Sequence, residues 1–298
     1  MPLSIGVLAA EHIAVGLVRD NQLQGSVQIW PRSAENQPDV LQSMPAEDIA
    51  KSICDAIESV RGGQVLEAVG VGFPGIIRDG VIQESPNLSQ IKGFDLCTSL
   101  SAALGGCGTR VSAVIFNDAD AMAAGIAATR GQLHRLVRVW TLGNGIGFGR
   151  YPWSTGAWEG GHSVVTLDPK ERFCGCGGKG HLEGIMGHRA MRLRFLDLEP
   201  EEIFANAKAG DSRCEAFVKL WHRALAAATA TSIHMDGPGD FFIGGHNARF
   251  VETPLLDHNL HEMVKMTPLQ GSRFEVVATG DEVGVIGAAV NAERFAKS

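Results

Sequence analysis

The chain opens on short apolar runs separated by polar pairs. Residues 3–9 (LSIGVLA), 12–20 (HIAVGLVRD) and 23–30 (LQGSVQIW) read as three successive strands, which predicts an opening β-meander. Ile49, Ile53, Ile57 and Val60 then recur at helical spacing behind Ser43-Met44-Pro45-Ala46-Glu47, the pattern of an amphipathic helix over 43–60 with a capping start. Residues 66–75 (LEAVGVGFPG) predict a buried strand ending in a Gly-Phe-Pro-Gly turn. Residues 110–118 (RVSAVIFND) predict another, followed by an Ala-rich helix over 118–131 whose acidic start suits the positive end of the helix dipole.

A second group of strands starts at 136–151 (LVRVWTLGNGIGFGRY). It continues at 240–247 (DFFIGGHN) and 273–280 (RFEVVATG), before a closing helix over 283–297. This order of elements predicts two α/β domains. The expected boundaries are 1–115 for a smaller domain, to which the last helix (286–298) returns, and 116–285 for a larger one. No internal repeat or low-complexity stretch is present.

Composition narrows the function classes. A formal charge of -7 leaves little basic surface for a phosphate backbone, so no nucleic-acid partner is expected. No apolar run reaches the ~18 residues of a membrane span, and the first run carries Glu11 and His12 without a basic leader, so the expectation is a cytoplasmic chain with no membrane partner. Cys54, Cys97, Cys107 and Cys214 stand singly and only Cys174 and Cys176 lie close, so reduced thiols rather than a disulfide framework are expected. The 37 glycines exceed the usual share of about 7% and point to glycine-dependent turns.

One cluster carries metal chemistry. Within 173–184 (FCGCGGKGHLEG), Cys174 and Cys176 stand in C-x-C spacing and His181 follows, while His162 precedes them, giving four soft or borderline donors suited to tetrahedral zinc. Four protein ligands leave no position for an activated water, so the zinc would be structural. The competing reading is a chance pair of thiols and two locally bonded histidines. Glu159 and Glu183 flank this loop.

Those residues carry a family resemblance. The segment from 156 to 187, GAWEGGH through CGCGGKGHLEGIMG, resembles the zinc signature of the ROK family of sugar kinases and sugar-responsive repressors. VGFPGIIRDGVIQESPNL, FNDADAMAAG, LGNGIGFG, FIGGH and TGDEVGVIGAA follow the family's order and spacing, so the resemblance spans nearly the whole chain. It implies a two-domain actin-like, ribonuclease-H-like ATPase fold and a homodimer. Few residues precede the first strand, where the repressor branch carries a helix-turn-helix, so the sugar-kinase branch is the expectation.

Carried over position by position, the resemblance implies hexose contacts at Asn87, Asn117, Asp118, Glu159, His162 and Glu183. Asp118 would be the general base that takes the proton of the attacking hydroxyl. His162 would serve both metal and sugar, and His181 stands where the family usually has cysteine. Simpler readings stand beside these. Asp118 could cap a helix, Asn87 could shape a turn, His181 could be a core histidine, and the two glutamates could be solvated.

The implied nucleotide side is uneven. Gly143, Gly145 and Gly147 match a phosphate turn in which Asn144 replaces threonine and Phe148 replaces glycine. Gly244 and Gly245 match the adenosine loop, with His246 in place of a third glycine. The family's Asp-x-Gly-Gly-Thr turn, however, is Val7, Leu8, Ala9, Ala10 and Glu11 here, a set that disfavours Mg-ATP. Three functions therefore remain open: an ATP-dependent hexose kinase, a hexose-binding pseudokinase or sensor, and a zinc-braced interaction protein without a small ligand.

Overall fold

A computed structural model describes residues 3–31, 40–106, 113–154, 156 and 159–297. Cys107 and residues 110–112 of the expected strand lie outside them, as do Ala157 and Trp158 of the zinc signature. The chain divides into two compact units, residues 1–137 with 149–157 and 279–298, and residues 138–148 with 158–278.

In the first unit, β1 (Ser4–Ala9) pairs antiparallel with β2 (Ile13–Arg19). The third expected strand is broken. β3 (Gln22–Leu23) pairs with Val18 and Arg19, whereas β4 (Gln28–Trp30) pairs with Ile13, Ala14 and Val15. After Gln24, whose N still donates to Leu17 O at 2.8 Å, the exposed Gly25 and Ser26 leave the pairing, because this polar stretch has no apolar face to bury. Helix α1 (Ala46–Arg61) buries Ile49, Ile53 and Ile57 as its spacing predicts. Its start differs from the expected cap: Pro45 is the N-cap, and Ser43 Oγ donates to Val40 O at 3.0 Å.

β5 (Ala68–Phe73) lies parallel to β1, and a small hairpin of β6 (Ile76–Arg78) and β7 (Val81–Glu84) follows. Helix α2 (Leu96–Gly106) leads on to β8 (Ala113–Asn117), which pairs parallel with β5, and α3 (Asp118–Thr129) begins immediately after it. The sheet order is β3-β2-β1-β5-β8, with β4 added to β2.

The second unit has its own sheet, in the order β10-β9-β11-β12. Its strands are β9 (Val137–Leu142), β10 (Ile146–Tyr151), β11 (Asp240–Gly244) and β12 (Arg273–Val276). Between β10 and β11 run α4 (Glu183–Met186), α5 (His188–Arg194), α6 (Pro200–Lys208) and α7 (Ser212–Asp236), and α8 (Thr253–Met263) precedes β12. Trp140, Leu142, Ile185, Met186, Trp221 and Leu225 belong to one apolar cluster. The Trp221 indole N–H donates to Met186 O at 3.3 Å, which seats the short α4 on α7.

The chain closes with α9 (Asp281–Phe295), which packs on β1, β5 and α3. The approach is close enough that a Cβ on Gly70 would lie 1.9 Å from Ala288 O, so only glycine fits there. Because α3 packs on the same helix that covers β1 and β5, the first unit extends past residue 115 to residue 137. No disulfide joins Cys54, Cys97, Cys174, Cys176 or Cys214. Among the described residues no helix is long and apolar enough to cross a membrane.

Candidate functional site

The metal loop is set by backbone pairing before any side chain acts. Val164 and His181 form an antiparallel bridge, Leu182 N donates to Ser163 O at 3.0 Å, and Val165 N donates to Gly180 O at 2.8 Å. These bonds hold the segment after His162 against the segment that ends in His181. Gly177 N then donates to Cys174 O at 3.1 Å and Gly178 N to Cys176 Sγ at 3.3 Å, turning both thiols to one side.

One donor atom from each of His162, Cys174, Cys176 and His181 falls in a cluster whose members all lie within 4.8 Å of one another. Cys174 Sγ is 3.3 Å from Cys176 Sγ, which is 3.3 Å from His181 Nδ1. Donors bound about 2.0–2.3 Å from a tetrahedral ion stand roughly 3.3–3.8 Å apart, so the four can hold zinc with small adjustments. Glu159 Oε2 lies 3.2 Å from His162 Nδ1, an arrangement of carboxylate and imidazole that orients a ligating ring. That contact raises the His162 pKa, while burial and the neighbouring His162 lower that of His181. Burial also pushes the Cys174 thiol up to about 12, and ligation by an ion would have to displace that proton.

Glu183 opens α4 directly after the loop. Its Oε2 accepts from the Ile146 N–H at 3.1 Å, and its Oε1 lies 3.5 Å from Cys174 Sγ. Ile146 follows the β9–β10 hairpin turn, closed by Gly143 N donating to Gly145 O at 3.0 Å. A Cβ on Gly145 would lie 2.6 Å from Glu183 Oε2, so glycine is what admits the carboxylate. The Gly160–His162 turn converges on the same residue, with a Cβ on Gly161 falling 2.0 Å from Ile146 O. The expected hexose carboxylate, the zinc loop and the expected phosphate turn are thus one connected assembly.

The turn has supports that the sequence did not signal. Gly143 O accepts from His188 N at 3.0 Å and from the buried Asn247 Nδ2 at 3.2 Å, and His188 Nδ1 lies 3.4 Å from Asn247 Oδ1. Asn247 directly follows His246, yet nothing local marks it as a partner of a turn so far back in the chain. Asn144 is exposed, Gly147 lies within β10, and Phe148 packs against Trp140 with tilted rings whose centroids are 4.4 Å apart. Gly244 ends β11, and Gly245 beside it carries a positive φ of 88°.

In the first unit, Asn117 rather than Asp118 is the N-cap of α3. Asn117 Oδ1 accepts from Ala119 N at 2.9 Å and its Nδ2 donates to Gly75 O at 2.9 Å, tying the Gly-Phe-Pro-Gly turn to the start of the helix. Asp118, half-buried, accepts from the same Ala119 N through Oδ1 at 3.0 Å. Asn87 is exposed in a turn. Val7 and Ala9 are fully buried in an apolar cluster with Ile5, Ile13 and Val15. Ala10 N donates to His12 O at 3.1 Å, and Glu11 is exposed. His12 Nε2 pairs with Asp281 Oδ2 at 2.9 Å, and this bond raises the His12 pKa.

The ROK family profile matches residues 8–294. The chain belongs to the ROK family. ROK relatives of similar sequence include a glucokinase of Pyrobaculum calidifontis, 30% identical over 249 residues, which cover 78% of this chain and 81% of the relative. A glucokinase of Thermotoga maritima is 30% identical over 288 residues, 84% of this chain and 87% of the relative. Among solved structures, the ROK hexokinase of Thermus thermophilus superposes with a TM-score of 0.79 at 25% identity, covering 99% of each chain. A ROK glucokinase of Streptomyces griseus, in complex with glucose and AMPPNP, shares the fold with a TM-score of 0.70 at 24% identity, over 98% of this chain and 99% of that one. The ROK sugar-kinase fold is therefore the actin-like, ribonuclease-H-like architecture expected from the resemblance.

Proposed function

We propose that this ROK chain is an ATP-dependent hexose kinase, with glucose as the first substrate to test. The hydrogen bond from Ile146 N to Glu183 carries the reading, because it joins a carboxylate suited to a sugar hydroxyl to a glycine turn suited to phosphate. The glucokinase relatives support the substrate class.

In this reading Asp118 accepts the proton of the attacking hexose hydroxyl as the hydroxyl oxygen bonds to the γ-phosphorus and the bond from phosphorus to the leaving ADP oxygen breaks. Asn87, Asn117, Glu159, His162 and Glu183 are the proposed hexose contacts. Amides and carboxylates suit this work because a pyranose hydroxyl both donates and accepts, and a misplaced one leaves a polar group unpaired. Zinc on His162, Cys174, Cys176 and His181 would supply a rigid brace for the two glutamates. Gly143, Asn144, Gly145 and Gly147 form the proposed phosphate turn, and Gly244 and Gly245 the proposed adenosine loop.

Magnesium does not fit the first turn. Val7 stands in the apolar core at the position of the family's aspartate, and Glu11 is exposed. No step is therefore assigned to a metal held there. The same observation favours a second reading, a hexose-binding protein with impaired nucleotide use.

The two readings separate in one experiment. A hexose panel with Mg-ATP should give sugar phosphate, with each ligand alone raising the melting temperature. Stabilisation by sugar without turnover and without any shift from ATP would overturn the kinase reading in favour of the sensor.

A further inference from the structure

Next to the β9–β10 turn, the second unit holds a cavity of about 620 Å³. Its lining includes Asn144, His188, Arg189, Arg192, Leu193 and Leu196. Cavities of about 300–1,000 Å³ are the usual size for small-molecule and cofactor sites.

The charges of this cavity are arranged unevenly. Its carboxylates, Asp197, Glu199 and Glu202, are already engaged. Asp197 pairs with Arg213 at 2.8 Å, Glu199 pairs with Arg192 at 3.1 Å, and Glu202 Oε2 accepts from Glu199 N at 2.8 Å. Arg189, in the same lining, is exposed and forms no ion pair among the described residues. Arg189 directly follows His188, whose backbone N–H is fixed to Gly143 O of the turn. Its guanidinium stands over the metal loop on the side of Glu183: a Cβ on Gly175 would lie 3.3 Å from Nη1 and 4.0 Å from Glu183 Oε1. The exposed Asn144, also in the lining, adds an amide donor.

An unpaired guanidinium and an amide beside a glycine turn make a site for an anion with several oxygens, since the guanidinium fork matches phosphate in two-point contact. Meanwhile the first turn offers a buried valine and an exposed glutamate where the family places phosphate-facing groups. We propose that Arg189, with Asn144, binds the condensed phosphate chain of the phosphoryl donor. This inference rests on the kinase reading. Leu193 and Leu196, 44% and 88% exposed, give the same cavity an apolar wall for the base of a nucleoside triphosphate, which is favoured over inorganic polyphosphate.

The test is binding of ATP and of inorganic tripolyphosphate to the full chain by calorimetry, for wild type, Arg189→Gln and Arg189→Lys, with hexose turnover measured on the same samples. Loss of a charged hydrogen-bonding partner should weaken ATP about 10- to 100-fold in Arg189→Gln, with melting temperature and zinc content unchanged and partial recovery in Arg189→Lys. Tripolyphosphate should lose affinity in parallel. Tighter wild-type binding of ATP identifies the nucleotide as the source of the chain, and equal binding identifies free polyphosphate; either supports Arg189 when the Gln variant loses it. Wild-type affinity for both ligands in Arg189→Gln would overturn the inference. If turnover then persists, the kinase reading survives alone; if the wild type neither binds nor turns over, both fall.

Discussion

Glu183 accepts the Ile146 N–H at 3.1 Å while its other oxygen lies 3.5 Å from Cys174 Sγ. One side chain thus links the metal loop to the hairpin turn, and a disturbance of either should reach the other. Gly145→Ala tests the link without altering Glu183, because the added methyl would meet Oε2 at 2.6 Å. We expect kcat/KM for hexose to fall about tenfold or more, with zinc content unchanged, as in other cases where a displaced positioning group costs rate. Unchanged kinetics would show that the carboxylate position is immaterial.

Metal analysis of protein purified without chelator should find one zinc per chain. Cys176→Ser should lose it and lower the melting temperature, on the order of 5–10 °C, since a structural ion stabilises the fold that binds it. A metal-free wild type of undiminished stability would contradict the brace.

The pair of His12 and Asp281 gives a pH dependence. Its carboxylate partner raises the His12 pKa above the unfolded value of 6.5, so the stabilisation is complete below pH 6.5 and disappears as pH rises through the raised value. Melting temperatures of wild type and His12→Gln should therefore differ most near pH 6 and converge at pH 8.5. Both partners are partly exposed, so the effect is modest. A gap that widens with pH would have the wrong sign.

Val7→Asp restores the family residue in sequence but not in environment. Val7 is fully buried among Ile5, Ile13 and Val15, so the carboxylate would lack a partner and should cost about 3–5 kcal/mol, read by denaturant unfolding. A stable variant would mean that the first turn can open to solvent.

Much of this was legible in the sequence because it is local. The i, i+4 isoleucines of α1, the cysteine spacing and the Asn117-Asp118 junction each lie within a few residues, and the family resemblance supplied the fold. Long-range partners left no such trace. Glu183 and Ile146 are 37 positions apart, and Asn247 reaches Gly143 across 104. The cap of α3 is ambiguous in the sequence because two adjacent residues could both play that part; the extended backbone of Asn117 and its acceptance from Ala119 N decide for it. The break between β3 and β4 leaves no mark in the sequence, because its flanks alternate correctly while Gly25 and Ser26 between them do not pair.

The most direct measurement of the central claim is formation of sugar phosphate from glucose and Mg-ATP by wild type and Asp118→Asn. Removal of a general base predicts a fall in kcat of about 10²- to 10⁴-fold, with the melting-temperature shift caused by glucose retained. Equal turnover in the two proteins would contradict the role of Asp118, and no turnover in the wild type with any hexose would contradict the kinase.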